Sequence, residues 1–281
     1  MDRVRHARVS RAALALAVVL AAVAASPPAR AEHDHGDHGG HGDQGGHGGH
    51  GAAGAEAALG VTVTAGALAA SYHSRLYDGS YEGARAGAAF ARGRYEVGAE
   101  LAGYRIVRNG RAGHGLGDLH VHGSAMLVAR GALSAGVHLM VMAPTGDDRL
   151  GVGMGHVMLM PAAWSAYAAG RARASVMLGY GRGIGDEGVH AEHGGSWPLV
   201  DPMGFSELTL DAAAAFAFAR AWTAGVALHG ALPLSAGDTR LLAGARVSWR
   251  AGRVDTAGEL QAGVVGDPVR VRGLLSTSLR F

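Results

Sequence analysis

The sequence predicts an all-β fold: a transmembrane antiparallel β-barrel of about twelve strands behind a disordered His-rich N-terminal tail. Three observations lead there. From about residue 60 onward, apolar and polar side chains alternate along extended segments, which gives each strand one greasy and one wet face. The connections between those segments alternate strictly between short and long, as hairpins of a membrane barrel do. No apolar stretch is long enough to cross lipid as a comfortable helix. In hydrocarbon every backbone N–H and C=O needs a partner, so a strand-built chain can span only as a closed ring.

The N-terminus is read first. Arg3, Arg5, Arg8 and Arg11 precede an apolar run from Ala12 to Ala25, and Ala29-Arg30-Ala31 follows as a small-x-small cleavage pattern. Residues 1–31 are therefore expected to be a signal peptide, and the mature chain to begin at Glu32. Residues 32–58 are mainly Gly, His, Asp and Ala, without apolar periodicity. Such a segment buries too little to offset its ordering entropy. His33, His35, His38, His41, His47 and His50 lie within it. Imidazoles at this spacing on a flexible chain can wrap Zn, Ni or Cu(II); the plain alternative is a solvated linker.

Residues 59–281 are expected to be the barrel. The 281-residue chain has no cysteine. That excludes disulfides, thiolate metal sites and a lipoprotein anchor, and it suits the periplasmic route. The 47 glycines would weaken a soluble core. A barrel wall tolerates them, because its hydrogen-bond ladder carries the structure and lipid covers small side chains. The formal charge of +2 points to no particular partner. Short turns fall at Arg92-Gly93, Arg130-Gly131, Gly170-Arg171, Ala219-Arg220 and Ala251-Gly252, and longer connections near 75–79, 108–116, 145–155, 184–205, 235–238 and 267–268. An even strand count puts both ends of the barrel, and the tail, on the periplasmic side. Phe90, Tyr95, Tyr167, Phe218, Trp222 and Trp249 stand near the short turns on the apolar phase, as an interfacial girdle should. In the last segment Val269, Val271, Leu275, Leu279 and Phe281 share one face, and Arg270, Arg272, Ser276, Ser278 and Arg280 the other. The final Phe281 resembles the closing-strand signal of bacterial outer-membrane proteins.

The inward phase carries the chemistry. It presents Asp118, His120, His122, Ser124 and Met126 on one segment, then His138, Met140 and Met142. After a loop containing Met154 it presents His156, Met158, Met160 and Trp164, and then Met177. Leu139, Val141, Val157 and Leu159 are expected to face lipid. Thioether and imidazole suit Cu(I), Ag(I) or Cu(II); methionine is also an adaptable filler. The metal candidates are thus the six tail histidines together with His120, His122, His138, Met140, Met142, His156, Met158 and Met160. The rest of the lumen is charged: Glu96, Glu100, Arg173, Glu207, Asp211, Arg240, Arg246, Asp255, Glu259, Arg270 and Arg272 fall inward, and must pair or line a wet path.

Two stretches carry a family resemblance. Gly115-Leu116-Gly117-Asp118-Leu119 opens one strand; Ala143-Pro144-Thr145-Gly146-Asp147 closes the next and runs into Gly151, Gly153 and Gly155. This arrangement resembles an outer-membrane β-barrel family linked to the phenol meta-cleavage pathway and described as transporters. The resemblance covers residues 60–281 in architecture. It implies a barrel that passes small, often hydrophobic molecules, and it supplies no catalytic residues.

Every strand histidine is expected to point inward, which leaves no Ser–His pair on the outer wall, and the chain is read as a non-enzyme. His190 and His193, with Glu187, Glu192 and Asp201, read as a solvated loop before a metal site. No nucleic-acid signature is present. The leading expectation is a bacterial outer-membrane channel component for small solutes, linked to copper or other transition metals. The alternatives are a metal-sequestering or metal-resistance barrel and a structural barrel without transport. The partners implied are outer-membrane lipid and a small-molecule or metal-ion solute. No cofactor is required; copper, zinc or nickel are the cations that the donors suit.

Overall fold

The computed structural model describes residues 59–74, 78–185, 200, 203–234 and 238–281. The expected signal peptide and histidine tail lie outside them. The described chain forms Gly60–His73 (β1), Asp78–Arg92 (β2), Tyr95–Arg108 (β3), Arg111–Leu116 (β4), Leu119–Arg130 (β5), Leu133–Ala143 (β6) and Val157–Ala169 (β7). Ala172–Ile184 (β8), Ser206–Ala217 (β9), Trp222–Pro233 (β10), Arg240–Ala251 (β11), Val254–Val265 (β12) and Val269–Arg280 (β13) complete it. Sequence neighbours pair antiparallel around a ring, and β13 returns to β1, with Thr62 opposite Arg280 and Phe281 N donating to Val61 O at 2.9 Å. β4 and β5 both pair with β3, over Gly103–Arg108 and Tyr95–Glu100 respectively. They are two halves of one stave, so the barrel is closed with 12 staves. Closure removes the open edges that a lone sheet would present.

The five short turns lie at one end together with residues Gly60 and Phe281. Gly93, Gly131, Gly170 and Gly252 adopt positive φ there, a conformation that costs glycine nothing. Phe90, Tyr95, Phe218, Trp222 and Trp249 are exposed near this end, and Trp222 pairs directly with Trp249. Above them the outer face is apolar, with Val97, Val121, Leu139, Leu178, Val226, Leu260 and Leu275 all exposed. That is the surface a bilayer would cover.

Three expectations change. The 108–116 connection is not a loop: Asn109 and Gly110, with φ of 48° and 78°, make a two-residue turn, and β3–β4 is a hairpin. Two adjacent positive-φ residues are what such a hairpin demands. The bulge at Ser71/Tyr72 shifts the register so that Tyr72 faces Val269. Val269 is thereby buried in the lumen and Arg270 is exposed, 3.9 Å from Asp78, the reverse of strict alternation. A one-residue bulge flips the facing of what lies beyond it. Finally, His73 and His114 stand on exposed strand positions, so the inward rule holds for His120, His122, His138 and His229 but not for every strand histidine.

Candidate luminal site

The inner face of β5, β6 and β7 is built from facing pairs. His120 lies opposite Met142 and His122 opposite Met140; Met142 then faces Met158, and Met140 faces Met160. Alternation puts the intervening Leu139 outside, exposed, while Met142 and Met158 are 1% and 0% exposed. The ladder between β7 and β8 skips Met160 and Pro161, because proline has no N–H to donate. His122 and His138 stack with ring centroids 5.8 Å apart, and His122 Nε2 is 3.9 Å from Glu96 Oε1.

The connection from residue 144 to 156 folds into the barrel over this wall, and Met203–Phe205, from the next long connection, are buried beside it. The first connection is held by Asp118, which sits at the break between β4 and β5. Asp118 Oδ1 accepts from Gly146 N at 2.9 Å and Oδ2 from Met154 N at 2.7 Å. Thr145 Oγ1 accepts from Leu119 N at 2.9 Å and donates to Gly117 O at 3.2 Å. A Cβ on Gly146 would stand 2.7 Å from Gly153 Cα, so the connection folds back on itself only with glycine there. Asp147 Oδ1 accepts from Arg149 N and Leu150 N; it shapes the turn as well as meeting water. The two stretches singled out in the sequence are thus the two halves of one lock. The second connection contributes Met203, whose successor Gly204 donates its N–H to Glu207 Oε2 at 2.7 Å.

The result is a segregated interior. Met142, Met154, Met158 and Met203 are buried together, with Met140 and Met160 packed on them. A separate apolar cluster holds Tyr72, Tyr81, Ile106, Val152, Val200, Leu242 and Val269. The facing wall is charged. Arg240 Nη2 donates to Glu207 Oε2 at 2.6 Å, His229 Nδ1 lies 2.7 Å from Asp211 Oδ1, and Arg272 Nε donates to Gln261 Oε1 at 2.7 Å. Arg246 lies 3.8 Å from Glu259, and Arg250 pairs with Asp255 at 2.6 Å. A cavity of about 180 Å³ separates the two walls, with Met142, Met154 and Met203 on one side and Glu207, His229 and Arg240 on the other.

Of the sequence candidates, His120, His122, His138, Met140, Met142, Met158 and Met160 lie on this inner wall. His156 closes the first connection, with Nδ1 donating to Met154 O at 2.9 Å and its ring 5.5 Å from Phe205. Burial pushes the His156 imidazole below its ordinary range; the hydrogen bond to Met154 and the charge of Asp118 oppose part of that shift. The tail histidines lie outside the described residues, as do His190 and His193. Among the described residues no three His, Asp or Glu side chains are placed to hold one metal ion; the donors that gather are thioethers. Sequence reasoning missed Met203, Arg85 and Gln261. Alternation on β2 and β12 could have found the last two; nothing in the sequence signals that Met203 enters the lumen.

No protein-family model matches the chain, and no curated protein matches it. Solved structures do. The chain is similar to an outer membrane channel from Pseudomonas putida F1, at 12% identity over 82% of this chain and 97% of that one, with a TM-score of 0.58. It is also similar to the KdgM porin, at 10% identity over 78% of this chain and 99% of that one, with a TM-score of 0.51. The fold is that of outer-membrane channels. At these identities the likeness is one of fold.

Proposed function

We propose that this chain is a channel component of the bacterial outer membrane that passes small solutes, with its histidine tail in the periplasm. The observation that carries the reading is the luminal cavity of about 180 Å³ between a thioether wall and a charged wall, inside a ring whose outer face is apolar. A barrel of this build is stable only with lipid around it. The small cavity restricts passage to small solutes, and the inward-folded residues 144–156 decide when they pass. The resemblance to the phenol-pathway family favours a hydrophobic cargo. The cavity is mixed, with apolar sulfur on one side and paired charges on the other, and that supports a polar or ionic solute better. Purified protein in planar bilayers tests the reading: discrete current steps are expected. Insertion without conductance, or without swelling of solute-loaded liposomes, would leave a structural barrel.

A second reading, sequestration of a metal ion in the lumen without passage, is favoured by the gathering of the methionines. Flux assays separate the two, because a sequestering barrel binds cation without carrying it.

A further inference from the structure

We propose that Met142, Met154, Met158 and Met203 form a thioether site for a monovalent soft cation, Cu(I) in chemistry and Ag(I) as its probe. As a statement of what the channel carries, the inference rests on the channel reading; as a binding site it stands alone.

The structure contains its own control for the packing explanation. The lumen holds two apolar clusters. One is built from Ala, Tyr, Ile, Val and Leu, without methionine. The other has a buried core of methionine alone, with two more methionines packed against it. Filling space does not require that separation, since hydrocarbon side chains fill the first cluster well. Of nine methionines in the chain, one of them Met1, six meet at this place.

The donors are also positioned. Met142 and Met158 face each other across β6 and β7. Met154 and Met203 come from two different connections, and a buried carboxylate fixes each one's backbone. Asp118 holds the N–H of Met154, and Glu207 holds that of Gly204, next to Met203. The methyl carbons of Met158 and Met203 lie 3.4 and 3.7 Å from where a Cβ on Gly181 would stand, so glycine leaves room where the two side chains meet. The Asp118 carboxylate beside four neutral sulfurs offsets the charge of an entering cation, while Glu207 is balanced by Arg240. Thioether sulfur selects Cu(I) and Ag(I) over the harder divalent ions. It does not titrate, so the site keeps its donors at acid pH, where imidazole, with its unperturbed pKa of about 6.5, is protonated and ceases to bind.

That difference separates the site from the tail histidines in the full chain, and the methionine variants separate it from the rest of the lumen. The folded protein in detergent is titrated with Ag(I) in chloride-free nitrate buffer at about pH 5, where the tail histidines are charged. One Ag(I) per chain is expected. In the M142L/M154L/M158L/M203L variant, which keeps volume and apolarity, affinity should fall at least about 100-fold. Folding is checked by the heat-modifiable gel shift of barrels; if that variant does not fold, M142L/M158L is read in the same way. Methyl-labelled methionine NMR adds a positional readout: Ag(I) should shift the cluster methyls and leave Met177 in place. Parent-like affinity in a folded variant, or unmoved cluster methyls, overturns the proposal. Conductance in metal-free buffer, on the same preparations, separates the two claims. Current without Ag(I) binding refutes this site and spares the channel; Ag(I) binding without current keeps the site and refutes the channel.

Discussion

Replacing Asp118 with alanine should release the 144–156 connection from the lumen. The carboxylate accepts two backbone hydrogen bonds, from Gly146 and Met154, and is itself buried. A hydrogen bond to a charged group contributes about 1.5–3 kcal/mol, so the pair holds the connection with roughly 3–6 kcal/mol. Water can solvate the freed Gly146 N–H, which is only partly buried, so the lower end is the better figure. About 3 kcal/mol shifts the equilibrium between seated and released connection more than a hundredfold, since each 1.4 kcal/mol is tenfold. Asp118→Asn keeps one acceptor oxygen and should cost roughly half as much. Two measurements follow. Single-channel current in planar bilayers should grow and flicker in Asp118→Ala. Trypsin should cut after Arg149, which is exposed but sits on a backbone that Asp118 and Asp147 pin. An alanine variant that conducts as the parent does and resists trypsin there would refute the lock.

Arg240→Ala should strip Glu207 of its partner at 2.6 Å; removing one member of a buried pair costs about 3–5 kcal/mol, read as a lower temperature for the gel-shift transition, with Arg240→Lys intermediate. Gly146→Val should abolish the seated connection, because a side chain there meets Gly153, and should reproduce the trypsin sensitivity of Asp118→Ala; a protected valine variant would contradict the folded-back geometry. His156 should titrate by NMR below the ordinary histidine range, as burial dictates, staying neutral at pH 7 and charging only on acidification; a midpoint at or above 6.5 would refute its burial. Deleting residues 32–58 should remove most Zn and Ni binding, which the parent should show only above about pH 6; retention of that binding would place it in the barrel.

The ring itself was legible because period-two alternation is a wall property that each strand repeats. It located Leu139 outside and Met142 and Met158 inside. It failed where a local irregularity resets the count: the bulge at Ser71/Tyr72 carries Val269 inward, and no composition signal precedes it. The Asn109-Gly110 turn was legible in principle, since that dipeptide is a strong hairpin signal, yet the alternation of long and short connections overrode it. The site was half legible. Strand methionines follow from phase, but Met154 and Met203 arrive by tertiary folding of connections, which leaves no periodic trace. Nor could the sequence say that Asp118 and Gly146 touch, although each stood in a stretch already singled out.

The divided stave gives the barrel a high shoulder and a low one. β3 and β4 rise together beyond the level where β5 begins at Leu119, opposite Ala143 at the end of β6. Above that level β4 has no strand on its other side among the described residues, and the chain leaving β6 occupies the notch, with Asp147 N donating to Leu116 O at 3.3 Å. The descent into the interior is therefore set by where a strand stops rather than by what the loop contains. Lengthening β5 and β6 by two residues each would raise the low shoulder by about 7 Å at 3.3–3.4 Å per residue. That would carry the whole inner assembly away from the residues it now rests on, with every side chain unchanged.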